Sequence, residues 1–258
     1  MPEGYVQFTV EALVGTIDFF HPLGNSLPSH LLAQLSHTIK EVSSHPQVRV
    51  IVLRSGGEGA FCGGASFIEL AALENEAQGE VFFNGFAQVI NALRLCPQLV
   101  VGRIQGKCVG GGVGLAAACD YAVAHQSAQI KLSELAVGIG PFVIGPAVVR
   151  KIGLSAFSQL AINATAWQTS QWAMQKGLFM EVHDTVAGLD DAVYQLAKTL
   201  AHSSPQAMGK LKEMLWQGTE NWDTLLAAQA AISGRLAVTP FAKEAIAHFF
   251  AKKIPTAP

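Results

Sequence analysis

"KCVGGGVGLAAACD", residues 107–120, is the stretch on which the fold turns. Three glycines run together and then small apolar residues continue in a helical pattern. Glycine is the poorest ordinary helix former after proline, so a run of it at a helix start serves another purpose. Before it lies "QLVVGRI", an apolar strand signal, and after it "YAVAH", another. A second glycine-rich turn, "GEGAFCGGASF" (57–67), follows the strand signal "VRVIVLRS". Two glycine turns, each behind an apolar strand, therefore frame the centre of the chain.

Working outward, "GYVQFTVEALVGTIDFF" reads as two short strands around Glu11, and "HPLGNSLPSH" as a loop. Ser29 is placed to cap a helix with Leu31, Leu32, Leu35, Ile39 and Val42 on one face. A second helix carries Val81, Phe82, Phe86, Val89, Ile90 and Leu93, with Pro97 beyond its end. Strands alternating with helices predict an α/β body with largely parallel pairing. From about residue 143 the periodicity is helical throughout, ending in "PFAKEAIAHFFAKK". Pro205 suits a first helical turn behind Ser203 or Ser204.

The 258 residues are half hydrophobic, enough for a sizeable core, and 17 Lys and Arg stand against 19 Asp and Glu. A balance this even argues against broad nucleic-acid binding, which needs a basic face. Cys62, Cys96, Cys108 and Cys119 form no CxxC pair, and the eight histidines form no HExxH. These features predict reduced, buried thiols, no metal site and a cytoplasmic protein. The apolar runs are too short or too broken for a membrane helix.

Three readings compete for the glycine run. A phosphate loop needs Lys-Ser/Thr after its glycines, which is missing. A dinucleotide fingerprint finds Gly112, Gly114 and Ala117, with Glu134 as the distant acid, but an additional strand intervenes. The third reading is an oxyanion site. A helix N-terminus offers unpaired N–H groups and a positive dipole end, and glycine lets a carbonyl approach. A developing oxyanion calls for two donors, and the turn at 57–67 offers the second.

Paired in this order, the motifs resemble those of the crotonase (enoyl-CoA hydratase/isomerase) superfamily. Ala60-Phe61-Cys62-Gly63-Gly64-Ala65-Ser66 resembles its first motif, Gly106 through Asp120 its second, Asn25-Ser26-Leu27 its N-terminal turn, and "KLSELAVGIGP" its glutamate segment. The resemblance covers roughly residues 5–220. It implies an α/β fold, a crotonase-like spiral of ββα units with a C-terminal helical region. It divides the chain into a core (1–198) and a helical trimerisation region (199–258), giving a homotrimer or dimer of trimers. It also implies an acyl-CoA thioester substrate, with coenzyme A part of the substrate and no separate cofactor.

By the same resemblance the oxyanion donors fall on the amides of Ala65 and Gly111, and the catalytic carboxylate on Glu134. Ser26, Ala65, Gly111 and Gly114 fall on substrate-binding positions. Two-carboxylate hydratases of the family carry their other glutamate where this chain has Gly114. Glu134 alone fits double-bond isomerisation, in which one group removes a proton from C2 and returns it at C4. Its apolar flanks predict burial and a raised pKa. A hydratase with a substitute acid, for which Glu69 is the candidate, and a non-catalytic acyl-CoA-binding member are the alternatives. Ser66 stands in place of the family's common aspartate and can cap a helix. His21, Lys252 and Lys253 are candidates for the coenzyme's phosphates. Cys62 is expected to pack and Asp120 to hold the strand turn.

Overall fold

The computed structural model describes residues 4–253, with side chains through His248. β1 (Tyr5–Glu11) and β2 (Val14–Phe20) form an antiparallel hairpin. Its turn places Ala12 at φ 48° and Leu13 at φ 69°, the two left-handed residues that a twisted two-residue hairpin needs. The chain then repeats one unit four times: a long strand, a two- or three-residue strand, and helix. The first unit is β2, β3 (Ser26–Leu27) and α1 (Ser29–Ser44). The second is β4 (Val50–Ser55), β5 (Gly64–Ala65), α2 (Phe67–Ala72) and α3 (Glu76–Leu95). β6 (Leu99–Ile104), β7 (Cys108–Val109) and α4 (Gly111–Ala118) make the third. β8 (Tyr121–His125), β9 (Gln129–Lys131), a 3-10 turn at Leu135–Val137 and α5 (Gly145–Ile162) make the fourth.

The long strands assemble in one sheet, in the order β1-β2-β4-β6-β8, and β11 (Glu181–His183) closes its edge. All pairs after the first hairpin are parallel. Alternate residues of the central strands serve opposite faces. Ile51, Leu53 and Val100 pack with Leu35, Ile39, Phe82 and Ile90 from α1 and α3. Val50, Val52, Val101 and Val123 pack on the other face against Leu189, Val193 and Ala197 of α7 (Val186–Ala201). Burial on both faces is why these strands read as nearly continuous apolar runs.

The short strands form a separate layer. β3 pairs with β5, while β7 pairs with β9 and β9 with β10 (Gln168–Thr169). A parallel bridge between Cys62 and Cys108 joins the two groups. α6 (Ser170–Gln175) follows β10. Four of the candidate site residues, Ser26, Ala65, Gly111 and Glu134, lie on or just after the short strands of the four successive units. The repeat therefore draws together positions that are far apart in sequence.

The C-terminal helices pack on this same body. α8 (Pro205–Leu215) is fastened at Asp120, a buried carboxylate. Its Oδ2 accepts from Val100 N–H (2.7 Å) and Lys212 Nζ (2.6 Å), and its Oδ1 from Trp216 Nε1 (2.7 Å). Asp120 thus holds the strand turn as expected and also anchors α8, which lies some ninety residues on. α9 (Trp222–Ala237) crosses α3 where Gly79 meets Gly234. A Cβ on Gly79 would lie 2.7 Å from Gly234 Cα, so the backbones touch only because both residues are glycine. α10 (Pro240–Lys253) rests against α2 and the 3-10 turn. Among the described residues, no single helix is long and apolar enough to cross a membrane.

Three local expectations change. Beyond residue 143, where helical periodicity alone was expected, β10 and β11 are strands, and β11 joins the main sheet by pairing with β8. Pro28, not Ser29, is the N-cap of α1, and it makes no side-chain cap bond. Ser29 is the first helical residue, and its N–H donates to Glu69 Oε2 at 2.7 Å while its Oγ donates to Oε1. A carboxylate from another unit therefore satisfies this helix start, which no local pattern announces. Val81, placed on the buried stripe of α3 by its spacing, is 71 % exposed; it lies at the outer edge of that stripe.

Candidate active site

The site is built where the two glycine turns meet. Gly64 has φ +84°. A Cβ on it would stand 2.5 Å from Val109 O and 3.3 Å from Gly111 N, so only glycine lets the turns close on each other. Ala65 follows on β5. Ser66 N–H donates to Leu27 O at 3.1 Å. Successive strand amides point to opposite sides, so the Ala65 N–H is turned away from β3. Ser66 then caps α2, its Oγ accepting from Glu69 N–H, so the capping role expected of this serine holds.

Gly111 is the first helical residue of α4, with Gly110 as its N-cap at φ 51°. A helix leaves its first N–H groups without intrahelical acceptors. Gly110 N–H donates to Lys131 O (2.9 Å), and the first helix-type bonds run from Val113 and Gly114 back to Gly110 O. The helix start thus brings the Gly111 amide nitrogen close to Gly64, the residue before Ala65, and both Ala65 and Gly111 line the cavity. The remaining glycines have packing reasons. A Cβ on Gly112 would sit 2.3 Å from Cys62 O, and one on Gly106 2.1 Å from Gly59 O. These contacts account for Gly112 without a dinucleotide.

Glu134 follows β9 and opens the 3-10 turn, its carbonyl accepting from Val137 N–H (3.1 Å) and Ile139 N–H (3.0 Å). Its carboxylate lies over Gly110: a Cβ there would be 2.8 Å from Glu134 Oε1. The residue as a whole is half-buried, but Oε2 is closed from solvent and has no hydrogen-bond partner. Burial pushes the carboxyl up to about 7, with a bond from its own backbone amide pulling the other way. A carboxyl poised near neutrality is suited to both taking and returning a proton.

These groups line one narrow cavity of about 50 Å³. Phe67 and Leu70 of α2, Phe83 and Phe86 of α3, and Val137, Ile139, Phe142 and Ile144 make most of its wall. The polar lining side chains are Ser133, Glu134 and Ser233. Ser233 comes from α9, and neither it nor Ile144 was anticipated from sequence. Their only local signals are a serine inside a small-residue helix and an isoleucine in an apolar run.

Other sequence candidates fall elsewhere. Gly114 is not in the cavity wall; its missing side chain is replaced by Ile144, whose Cγ2 would be 2.4 Å from a Cβ at 114. Glu69 is engaged with Ser29 and borders a separate surface groove. Ser26 lies behind the wall, in register with Gly64 on β3. His21 Nδ1 stands 3.3 Å from Ser26 Oγ, and burial, together with His30 nearby, lowers its pKa. The side chains of Lys252 and Lys253 lie outside the described residues. All four cysteines are buried, and burial pushes the Cys62 thiol up to about 12, so it is an inert packing group. No cluster of metal-ligating side chains occurs among the described residues.

Comparison with known proteins bears on the family and fold of the whole chain. A model of the enoyl-CoA hydratase/isomerase family matches residues 9–255. The probable enoyl-CoA hydratase of Bacillus subtilis is 26 % identical over 253 residues, covering 97 % of each chain. The mitochondrial methylglutaconyl-CoA hydratase of Mus musculus is 34 % identical over 201 residues, 76 % of this chain and 63 % of that one. The crystal structure of an enoyl-CoA hydratase from Bacillus halodurans superposes with a TM-score of 0.87 at 21 % identity, covering 95 % of this chain and 99 % of the other.

Proposed function

The chain belongs to the enoyl-CoA hydratase/isomerase family, and from that premise we propose that it isomerises an enoyl-CoA, moving a C3–C4 double bond to C2–C3. The amides of Ala65 and Gly111 hold the thioester oxygen. Glu134 takes a proton from C2, and the electron pair it leaves spreads through the thioester as an enolate with its charge on that oxygen. The protonated Glu134 then returns the proton at C4, and the bond re-forms between C2 and C3. Atoms balance, and no water or cofactor enters. Fixed donors aimed at a charge that develops only during reaction contribute about 3–4 kcal/mol each to lowering the barrier. In this reading coenzyme A is part of the substrate, and the chain works as a cytoplasmic homotrimer or dimer of trimers.

The observation that carries the reading is Glu134. Its carboxyl is buried, its Oε2 is unpaired, and it is the one titratable side chain among the described residues of the cavity wall. Hydration of a C2–C3 double bond calls for water activated at C3 as well as a proton at C2. The place where a second acid would be sought, position 114, is filled by Ile144. Hydration is the second reading, favoured by the relatives called enoyl-CoA hydratases. Incubation with matched 3-enoyl-CoA and 2-enoyl-CoA separates the two. Isomerisation preserves mass and creates the conjugated chromophore; hydration of the 2-enoyl ester adds the mass of one water. Mass gain without isomerisation overturns the proposal.

A further inference from the structure

Ser233 is a buried polar residue that the reaction does not use. It is 1 % exposed, it lines the cavity, and its hydroxyl has no hydrogen-bond partner among the described residues. Several other buried hydroxyls are satisfied within the protein. Ser170 Oγ donates to Gln126 O, Thr219 Oγ1 to Trp216 O, and Ser55 Oγ accepts from Gln105 Nε2. A helical serine commonly donates back to the carbonyl one turn earlier, as Ser44 does to Lys40. Ser233 makes no such bond and opens onto an apolar wall that includes Phe83 and Phe86. A buried hydroxyl left unpaired carries a free-energy cost unless a ligand or water satisfies it.

Its position along the cavity follows from helix geometry. The next residue, Gly234, abuts Gly79 of α3. Seven residues further along α3, about 10 Å along its axis, Phe86 crowds Gly111, where a Cβ would be 2.2 Å from Phe86 Cε1. On α3 the contact beside Ser233 lies about two helical turns from the contact of Phe86 with Gly111, so Ser233 faces a part of the cavity away from the thioester end.

We infer that Ser233 is a specificity-determining residue that hydrogen-bonds an uncharged oxygen on the distal acyl chain, so that the site prefers an acyl-CoA carrying a distal hydroxyl to one with a plain hydrocarbon chain. The inference rests on the acyl-CoA reading above but not on the direction of the chemistry. The test uses saturated thioesters, which cannot turn over. Octanoyl-CoA and its 6-, 7- and 8-hydroxy derivatives are titrated calorimetrically into the full chain, Ser233→Ala and Ser233→Cys. The expected result is about five- to tenfold tighter binding of one hydroxylated ester by the native chain. Both variants should lose that preference, and Ser233→Cys keeps the side-chain volume. Equal affinities in the native chain, or a preference that survives in both variants, would overturn the inference alone. Failure of every ester, octanoyl-CoA included, to bind the native chain would overturn the acyl-CoA reading and this inference with it.

Discussion

Ile144 occupies the space that a side chain at Gly114 would need: its Cγ2 and Cβ lie 2.4 and 2.7 Å from the position of a Cβ there. The vacancy read from the sequence is thus a packed contact between α4 and the segment entering α5. Gly114→Ala should destabilise the fold by about 1–3 kcal/mol through overpacking. Adding Ile144→Ala should recover most of that loss in denaturant unfolding. Gly114→Glu with Ile144→Ala is the direct test of the missing acid. Hydration of a 2-enoyl-CoA, read by mass, should appear in this double variant and be absent in Ile144→Ala.

Glu134→Gln should reduce isomerase kcat/KM by about 10²–10⁴-fold, while a saturated acyl-CoA still raises the melting temperature. Because the base form must be ionised and its pKa is about 7, native kcat/KM should rise with pH through neutrality and level off above it. A flat profile between pH 5 and 9 would remove Glu134 from the role of base.

The same shift has a consequence for stability. Glu134 binds its proton more tightly when folded, with a pKa of about 7 against an ordinary 4.5. Its contribution is therefore fully present below about pH 4.5 and is lost as pH rises to about 7. Gln does not titrate. Glu134→Gln should match the native chain near pH 4.5 and exceed it by up to about 3 kcal/mol at pH 8. Paired urea titrations at the two pH values read the difference.

Gly110→Ala should damage the site directly. Its φ is 51°, and the new methyl would lie 2.8 Å from Glu134 Oε1. A stability loss of about 1–3 kcal/mol is expected, with a larger fall in kcat than in acyl-CoA affinity, because the displaced group is the base.

Lys212→Met leaves Asp120 as a buried carboxylate with only neutral donors on its side-chain oxygens, Val100 N–H and Trp216 Nε1. The loss should be about 3–5 kcal/mol in chemical unfolding. Asp120→Asn in the same chain should restore part of it, since the carboxylate that lost its ion-pair partner is then neutral, while Lys151 Nζ keeps its bond to the residue 120 carbonyl.

The sequence by itself determined the order of the long strands and helices up to about residue 143, because burial on one or two faces writes a period into each element; the two- and three-residue strands and β11 are too short to carry one. It also marked the two glycine turns, since only glycine tolerates the left-handed backbone at Gly64 and Gly110 and the close approach at Gly112. Glu134 was marked by the resemblance of its segment to the family's glutamate motif, and its apolar flanks announced its burial. Tertiary structure alone decided what meets those residues. Ile144 fills the place of an absent side chain, Ser29 holds Glu69 away from the cavity, and Ser233 reaches the cavity from a helix packed on α3 through Gly79 and Gly234. Each is a contact between distant segments. It depends on how the four repeated units stack and on where α9 lands, and neither leaves a periodic trace in the residues that make the contact.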